Sequence, residues 1–345
     1  MQTGFANRAP RVPTPTVYPV PTSDGIEVRL TRYCAGTKGP VVLAPGYGNS
    51  ARVYALTTNE TSFVEYLVAN DYDVWLFDFR SSPDLDASRT QFTVDDIALR
   101  DYPAAIATVR KESGAETVQV LAHCVGSMSF VMALAAGLKG VRSGVCSQLA
   151  AHPVPTPLNR LRCWMRLATI LKSAGIERMT TDYGPGFVDK ALDLVMRVFG
   201  GRHRDEGEVA RRIMFIYGDV YDNSRINAPT LKALEGIFGM SNMTFFEHIA
   251  MMIRRGHVVN AEGKETYLSN LERLAMPITF LHGEHNRMFL PQSTQETYQL
   301  LRKVNGPDHY RRHLIPGYAH LDCWVGERAE KDVYPLALSE LERFN

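Results

Sequence analysis

The sequence predicts an α/β fold in which helices cover both faces of a mostly parallel central sheet and a helical cap is inserted. Three observations lead to it. Short β-branched runs alternate with longer helical patterns up to residue 149, a mainly helical stretch follows over residues 151–270, and the alternation resumes after residue 273. Short apolar strands that are separated by helices are typical of a parallel sheet buried on both sides.

The elements before the insertion follow from two periodicities. Residues 26–34 alternate in the manner of a half-buried strand, whereas the other predicted strands are short apolar runs. Helices are predicted where apolar side chains recur every three or four residues. The predicted strands are 26–34, 41–44, 73–77, 117–122 and 141–147, and the predicted helices are 61–69, 94–111 and 126–138.

The insertion and the end of the chain complete the pattern. We expect a core made of residues 1–150 and 271–345 and a helical cap of residues 151–270. Residues 1–14 are expected to be a poorly ordered leader, and the chain is rich in proline over residues 10–21. The predicted helices of the cap are 158–173, 186–199, 206–217, 231–238 and 243–254, followed by strands 278–281 and 311–315 and helices 292–303 and 328–343.

Composition and charge exclude several classes of protein. With 45% hydrophobic residues, 22% charged residues and a formal net charge of +1, the chain is neither disordered nor collagen-like nor a coiled coil. A near-neutral chain lacks the clustered positive field that nucleic acid requires, so no nucleic-acid partner is expected. No apolar run approaches the roughly 20 residues of a membrane helix, so we expect no stable membrane insertion.

The cysteines and the N-terminus indicate a cytoplasmic protein. Five cysteines are an odd number without a close C-x-x-C pair, so neither a disulfide framework nor a zinc ribbon is predicted. The first ten residues lack the apolar run of a signal peptide. We therefore expect free thiols in a reducing compartment.

The segment Leu121-Ala-His-Cys-Val-Gly-Ser127 lies between a buried strand and a helix, which is the context of a nucleophile elbow. Ala122 and Gly126 flank Cys124, and small side chains at those two positions let the strand and the helix pass closely. Such a turn lifts Cys124 above the sheet, where its thiolate would be a strong nucleophile. For this segment alone, a buried packing cysteine is the alternative.

Two loops supply further candidates. Leu43-Ala-Pro-Gly-Tyr-Gly-Asn49 follows a strand, and the backbone N–H groups of Tyr47 and Val125 would together form an oxyanion hole. Ile315-Pro-Gly-Tyr-Ala-His-Leu-Asp-Cys323 follows the last strand, from which His320 can approach Cys124 across the pocket.

Taken together, these motifs resemble the α/β hydrolases over residues 15 to 345, including the chain order in which the histidine comes last. Ala122-His-Cys-Val-Gly-Ser127 and His320-Leu-Asp-Cys323 are similar to the elbow and the histidine run of the gastric and lysosomal acid lipases. A closer likeness, at residues 123–127, 318–323 and 332–335, is to the hydrolase domain joined to some cholesterol-oxidase-like (GMC) flavoproteins. The resemblance implies an α/β-hydrolase fold and acyl chemistry on a bulky, steroid-like or lipid-like substrate.

The residue that orients His320 is marked less clearly. The resemblance implies an aspartate shortly after the penultimate strand, but the run there is His282-Gly-Glu-His-Asn286, with Asn286 at that position. A neutral amide orients the imidazole in papain-like sites, so Cys124, His320 and Asn286 form a coherent predicted triad. Rivals for the orienting role are Glu284, His285 and Asp322, of which Asp322 is better suited to bracing the histidine loop.

Weaker signals point elsewhere. Gly46-Tyr-Gly-Asn-Ser-Ala51 fits a loose dinucleotide pattern with Asp73 or Asp78 as the ribose-binding acid, but this would leave the elbow unexplained. His282 and His285 lack further ligands at metal spacing, so we expect neither a cofactor nor a metal. Two arginine pairs could bind a carboxylate or a phosphate, and several cap methionines could line an apolar pocket, although helix surface and core packing are the simpler readings. These residues are Arg211, Arg212, Arg254, Arg255, Met240, Met243, Met251 and Met252.

The sequence thus predicts a cysteine-dependent acyl-transfer enzyme. His320 takes the proton of Cys124, the thiolate attacks an ester, lactone or thioester carbonyl, and a thioester acyl-enzyme forms. The substrate is a small acyl compound, free or bound to a carrier or CoA. Hydrolysis or acyl transfer, and monomer or homodimer, stay open. The alternatives are a non-hydrolytic lyase or cyclase on the same fold and a ligand-binding protein on a hydrolase scaffold.

Overall fold

The predicted α/β fold with its mostly parallel central sheet is confirmed in the computed structural model, which describes residues 8–182, 186, 190, 193–194, 196 and 207–345. The strands are β1 Thr16–Pro21, β2 Glu27–Tyr33, β3 Lys38–Ala44, β4 Tyr72–Asp78, β5 Val118–His123, β6 Val141–Ser147, β7 Arg178–Met179, β8 Ser241–Asn242, β9 Ile278–Gly283 and β10 Tyr310–Ile315.

Eight strands form one sheet in the order β1-β2-β4-β3-β5-β6-β9-β10. The strands from β4 to β10 in this order are mutually parallel, and the hairpin of β1 and β2 adds two antiparallel strands at one edge. Ala44 at the end of β3 pairs with Ala122 near the end of β5. The loops that follow β3 and β5 therefore start side by side.

The sheet has an apolar layer on each face. Alternate residues of β3 belong to different clusters, with Val41 and Leu43 in one layer and Val42 and Ala44 in the other. All four are fully buried. This two-sided burial explains why the parallel strands read as continuous apolar runs in the sequence.

The helices agree with the predicted ones to within a few residues at most of their ends. Ser62 and Glu65 form a reciprocal capping box at the start of the first helix. The helices are α1 Phe63–Ala69, α2 Val94–Asp96, α3 Tyr102–Ser113, α4 Val125–Ala136, α5 Pro157–Trp164, α6 Leu167–Ser173, α7 Glu208–Tyr217, α8 Ala228–Leu234, α9 Met243–Arg255, α10 Gln292–Asn305, α11 Asp322–Val325, α12 Ala329–Asp332 and α13 Tyr334–Glu342.

Three helices that were predicted to be continuous are divided. A π-helical turn over Ile97–Asp101 separates α2 from α3. Arg166 adopts φ +51° between α5 and α6, a left-handed conformation that cannot continue a helix. Pro335, in the first turn of α13, has no N–H to continue the hydrogen-bond ladder from α12.

The described residues of the segment between β6 and β9 form the helices α5 to α9 and the two-residue strands β7 and β8. The helix predicted over 186–199 lies outside the described residues, apart from a few single positions. The predicted helix 231–238 begins earlier as α8, because Asn227 caps it and Pro229 occupies its first turn. None of the described helices is long and apolar enough to cross a membrane.

The strand β1 is a feature that the sequence analysis missed. Its prolines, Pro19 and Pro21, lie on the edge strand of the sheet. An edge strand tolerates proline because an N–H group on its open side has no neighbouring strand to bond to. Before it, Arg8 donates a hydrogen bond of 2.6 Å to Glu65 at the start of α1. The described part of the proline-rich segment is thus tied to the core.

Candidate active site

Five loops meet at the carboxyl edge of the parallel strands, where open α/β sheets bind their ligands. Each loop follows a different strand and brings one residue of interest. These residues are Tyr47 after β3, Cys124 after β5, Gln148 after β6, Asn286 after β9 and His320 after β10. Tyr47, Cys124 and His320 line one cavity between this edge and the helical insertion.

Cys124 occupies a left-handed turn between β5 and α4. Its backbone has φ +54° and ψ −119°, values that a residue with a side chain adopts only when the surroundings enforce them. The turn is held by the bond from the Cys124 N–H to the carbonyl of Ser147, at 2.8 Å. A Cβ on Gly126 would lie 2.4 Å from the carbonyl oxygen of Pro45, so only glycine allows the helix this close to β3.

The Cys124 thiol is 9% exposed and lies in an apolar environment. Burial raises the pKa of this thiol to about 12, while the backbone N–H groups of Val125 and Tyr47 act in the opposite direction by hydrogen bonding to the sulfur. The two N–H groups predicted for an oxyanion hole therefore both reach Sγ. In the resting site Cys124 is a neutral thiol.

Contacts with the insertion hold the Tyr47 loop. The Tyr47 ring stacks on Phe245 of α9 with centroids 3.6 Å apart, and its hydroxyl accepts a bond of 2.9 Å from the N–H of Asn242. Gly48 next to it has φ +68°, and a Cβ there would lie 2.3 Å from the Tyr217 hydroxyl. Phe245 is a positioning residue that the sequence analysis did not single out.

Asn286 and His320 are brought together. Nδ2 of Asn286 lies 3.0 Å from Nδ1 of His320. The amide oxygen of Asn286 points the other way, where it accepts from the N–H groups of Met288 at 2.9 Å and Phe289 at 3.3 Å. The imidazole therefore meets an amide NH₂ group. Burial, with the nearby His123 and His282, holds the pKa of His320 well below its usual range, so its ring is neutral.

Gln148 links the two loops that carry Asn286 and His320. It is fully buried, with φ +56°, directly after β6. Its Oε1 accepts from Asn286 Nδ2 at 2.9 Å and from the Gly283 N–H at 3.2 Å, and its Nε2 donates to the carbonyl of Ala319 at 3.2 Å. A polar residue at the carboxyl end of a predicted strand was the available signal, and the sequence analysis did not use it.

The rival orienting groups are engaged elsewhere. The Glu284 carboxylate accepts from the N–H of Gly317 at 3.0 Å and lies 3.8 Å from His285. Buried Asp322 accepts from the N–H of Ala319 at 2.8 Å and so braces the loop that precedes His320. Burial raises the pKa of Asp322 to about 6.

A second imidazole lies beside the first. The rings of His123 and His320 meet edge to face with centroids 4.6 Å apart, and burial lowers the pKa of His123 to about 3. Trp324 Nε1 lies 3.2 Å from both His123 Nδ1 and the hydroxyl of Ser147, and these two atoms are 3.3 Å apart. Within the described part of the chain, His123 Nε2 is buried without a hydrogen-bond partner.

The cavity above Cys124 measures about 280 Å³. Apart from the polar groups around Cys124 and two side chains, Asn49 and Asn159, its walls are almost entirely apolar. Met243 lines the cavity, whereas Met252 is packed in the core instead. Further apolar or thiol side chains that line it are Cys163, Leu171, Phe215, Phe246, Ile249, Ile253, Met288 and Phe289.

The weaker motifs are accounted for by internal contacts. Asp73 pairs with Arg32 and Asp78 with Arg29, so neither carboxylate is available to a ribose. His282 is fully buried and bonds to the carbonyl of Phe289 at 3.1 Å. Among the described residues, no group of three or more histidine, cysteine, aspartate or glutamate side chains could hold a metal ion.

Comparison with known proteins adds the family and the fold. The model of the alpha/beta hydrolase family matches residues 41–334. No curated protein matches the sequence. Similar solved structures include a monoacylglycerol lipase from Paleococcus ferrophilus (14% identity, 92% of this chain and 99% of that chain covered, TM-score 0.59). An esterase from Pyrococcus furiosus is also similar (12% identity, 96% of this chain and 93% of that chain covered, TM-score 0.56). So is a thermophilic esterase from Thermogutta terrifontis (14% identity, 96% of this chain and 99% of that chain covered, TM-score 0.54).

Proposed function

This chain belongs to the alpha/beta hydrolase family, and on that premise we propose that it is an acyl-transfer enzyme whose nucleophile is Cys124. The observation that carries the proposal is the left-handed turn that places Cys124 between a strand and a helix, in a cavity that Tyr47 and Val125 also line and with their backbone N–H groups lowering the pKa of its thiol. Strained backbone and aimed donors together are typical of a site built for a developing negative charge.

The proposed reaction begins at the Cys124 sulfur. Sγ attacks the carbonyl carbon, a carbon–sulfur bond forms, and the carbonyl electron pair moves onto oxygen. That oxyanion accepts hydrogen bonds from the N–H groups of Tyr47 and Val125, each worth about 3 kcal/mol in related sites. The electron pair then returns, the leaving group departs, and the acyl group stays on Cys124 as a thioester. Overall the thiol proton passes to the leaving group, and we assign His320, supported by Asn286, to the hydrogen bonding at the reacting sulfur.

The apolar walls support an apolar acyl group. The cavity places apolar side chains of the insertion, such as Phe246 and Ile253, opposite the nucleophile. A chain or ring system bound there removes its surface from water, which is favourable by about 25 cal/mol for each Å² buried. We propose an ester, lactone or thioester of a bulky apolar acid as the substrate. The apolar walls favour transfer to another acceptor over hydrolysis, because they offer a water molecule few hydrogen-bond partners beside the acyl-enzyme.

One observation favours a different function. The neutral Cys124 thiol, with its pKa raised to about 12, would also suit a protein that only binds an apolar ligand in this cavity. A lyase or cyclase that leaves Cys124 unmodified would share this feature. Both alternatives require that Cys124 can be replaced by alanine without loss of ligand binding or turnover.

Intact-protein mass spectrometry tests the proposal. Brief mixing with activated esters of short, long and polycyclic acids should add the mass of one acyl group to the wild type and none to Cys124→Ala. Peptide mapping should locate the acyl group on Cys124 and not on Cys163, which lines the same cavity. The matched control is Cys34→Ala, which removes an exposed thiol and should leave the adduct intact. Turnover that survives in Cys124→Ala would contradict covalent catalysis.

A further inference from the structure

We infer that Asn286 holds His320 as the neutral tautomer with its proton on Nε2, and that the site consequently takes thioesters as acyl donors. This inference rests on the proposed acyl-transfer function and deepens it by naming the chemical class of the donor. The tautomer is determined by the hydrogen bonds among Asn286, Gln148 and His282 next to Nδ1 of His320.

The orientation of the Asn286 amide is fixed from one side by the backbone. The N–H groups of Met288 and Phe289 approach one side-chain atom at 2.9 and 3.3 Å. A backbone N–H can only donate, so the atom that faces both of them must be the oxygen. Turning the amide over would place NH₂ against two N–H groups and leave these buried groups without an acceptor.

Gln148 fixes the same orientation from the other side. The atom of its amide that faces the Gly283 N–H at 3.2 Å must be oxygen, and its NH₂ group faces the carbonyl of Ala319. The same oxygen lies 2.9 Å from Asn286, so the Asn286 atom there must be a donor. The backbone N–H groups on one side and Gln148 on the other therefore require the same orientation of the Asn286 amide. Gln148 is thus a positioning residue for His320.

The two hydrogen atoms on Asn286 Nδ2 can then be assigned. One goes to Gln148 Oε1. His282 Nε2 lies 3.2 Å away but cannot accept the other, because it is 3.1 Å from the carbonyl of Phe289 and must itself carry a proton. The remaining acceptor is Nδ1 of His320, at 3.0 Å.

An accepting Nδ1 carries no proton, so the single proton of neutral His320 resides on Nε2. This ring nitrogen has no free lone pair with which to take the thiol proton, contrary to the role predicted from the sequence. An imidazolium would place an N–H on Nδ1 against the NH₂ of Asn286. In serine hydrolase triads, exchange of the orienting aspartate for asparagine imposes this tautomer and reduces kcat by about 10⁴.

A thiol nucleophile and a thiol leaving group avoid the need for that base. The S–H bond of Cys124 breaks, its sulfur binds the acyl carbon, the carbon–sulfur bond to the leaving group breaks, and the proton passes directly from the Cys124 sulfur to the departing sulfur on the same carbon. His320, which lines the same cavity as Cys124, neither gains nor loses a proton. The departing thiolate is no more basic than the sulfur of Cys124, whose pKa is raised by burial, so the leaving group needs no separate acid. An alkoxide is far more basic than a thiolate and needs a proton donor, which neutral His320 cannot be.

The tautomer is tested directly by nitrogen-15 NMR of protein labelled in its histidine rings. His320→Gln assigns the signals of this ring among the ten histidines. We expect an unprotonated Nδ1 and a protonated Nε2 in the wild type, and a proton on Nδ1 in Asn286→Asp. The matched control is Asn345→Asp, which makes the same exchange near the C-terminus and should leave the ring unchanged. A proton on Nδ1 in the wild type would overturn the inference.

The donor class is tested with two octanoyl compounds that differ in one atom, the thioester of N-acetylcysteamine and the oxygen ester of N-acetylethanolamine. Wild type should be acylated at least 100-fold faster by the thioester, and Asn286→Asp should reduce this ratio at least tenfold by accelerating the oxygen ester. Similar rates in the wild type, or an unchanged ratio in Asn286→Asp, would overturn the choice of thioesters. No adduct on Cys124 with either compound would overturn the acyl-transfer function, and the NMR experiment would still decide the tautomer.

Discussion

The ring of Tyr47 lies flat on the ring of Phe245, with centroids 3.6 Å and planes 5° apart. Tyr47 belongs to the loop after β3 and Phe245 to helix α9 of the insertion, so this stack joins the proposed oxyanion loop to the cavity wall. The stack and the bond from Asn242 to the Tyr47 hydroxyl fix the ring. The position of the Tyr47 N–H therefore depends on the insertion.

Replacing Phe245 with leucine should impair acylation more than stability. We expect the rate of acyl-adduct formation to fall about tenfold, because a 1 Å displacement of an aligned donor is costly for catalysis. The loss of unfolding free energy should be about 1–2 kcal/mol, typical of a large buried side chain exchanged for a smaller one. Rapid-quench mass spectrometry and urea unfolding measure the two quantities.

The control for that variant is Phe77→Leu, which truncates a fully buried ring of β4 that packs on Phe79 and Tyr102. It should lose similar stability and keep its acylation rate. Equal rate losses in the two variants would show that the stack on Tyr47 has no particular role.

Gly126→Ala should destabilise the fold and disturb the elbow together. The added Cβ would lie 2.4 Å from the carbonyl oxygen of Pro45, a backbone atom that cannot move without shifting β3. We expect a loss of about 3 kcal/mol in the free energy of unfolding, as for other overpacked core sites. Gly236→Ala is the comparison, because its Cβ would meet only the Ala233 carbonyl at an ordinary 3.7 Å. A loss below 1 kcal/mol in Gly126→Ala, measured by urea unfolding, would show that β3 and α4 can separate.

Local patterns in the sequence were sufficient for the parallel strands, most helices and the family, but not for the network behind the histidine. Each parallel strand is a short apolar run, and burial on both faces of the sheet accounts for that pattern. The orientation of the Asn286 amide depends on the N–H groups of Met288 and Phe289 and on Gln148, which only the fold brings together. The strand β1 was missed because its prolines are unfavourable everywhere except at an edge. The cysteine nucleophile and the likeness to the GMC-linked hydrolase domain stay predictions.

Stability should fall as the solution is acidified below pH 6.5. Burial lowers the pKa of His123 to about 3, those of His152 and His282 to about 4, and that of His320 well below its usual range. The unfolded chain therefore binds protons near pH 6.5 that the folded chain does not, and the free energy of unfolding rises with pH in that range. Buried Asp101 and Asp322, with pKa values raised to about 6, act in the opposite direction because the folded state binds their protons first.

Four histidines outweigh two aspartates in this balance, since each histidine contributes about 1.2 kcal/mol between pH 7.0 and 5.5 and each aspartate returns about 0.8 kcal/mol. We expect a net loss on the order of 3 kcal/mol in urea unfolding over that interval. In His282→Gln the loss should be smaller by about 1 kcal/mol. A stability that is constant or rises between pH 7.0 and 5.5 would mean that these imidazoles accept protons in the folded state.

Replacing Cys124 and Asn286 in the same protein should show whether the effects of the two residues on acylation depend on each other. Cys124→Ser alone should be acylated about 10³-fold more slowly than the wild type. A hydroxyl nucleophile needs a base, and His320 cannot act as one while its proton is on Nε2. In Cys124→Ser with Asn286→Asp, the carboxylate would accept a hydrogen bond from an Nδ1–H group, so that the ring proton resides on Nδ1 and Nε2 is free to act as that base. We therefore expect the double variant to cleave the oxygen ester at least tenfold faster than Cys124→Ser, in a steady-state assay of leaving-group release. Equal rates in the single and double serine variants would contradict this coupling, and Asn345→Asp in the serine background controls for the added charge.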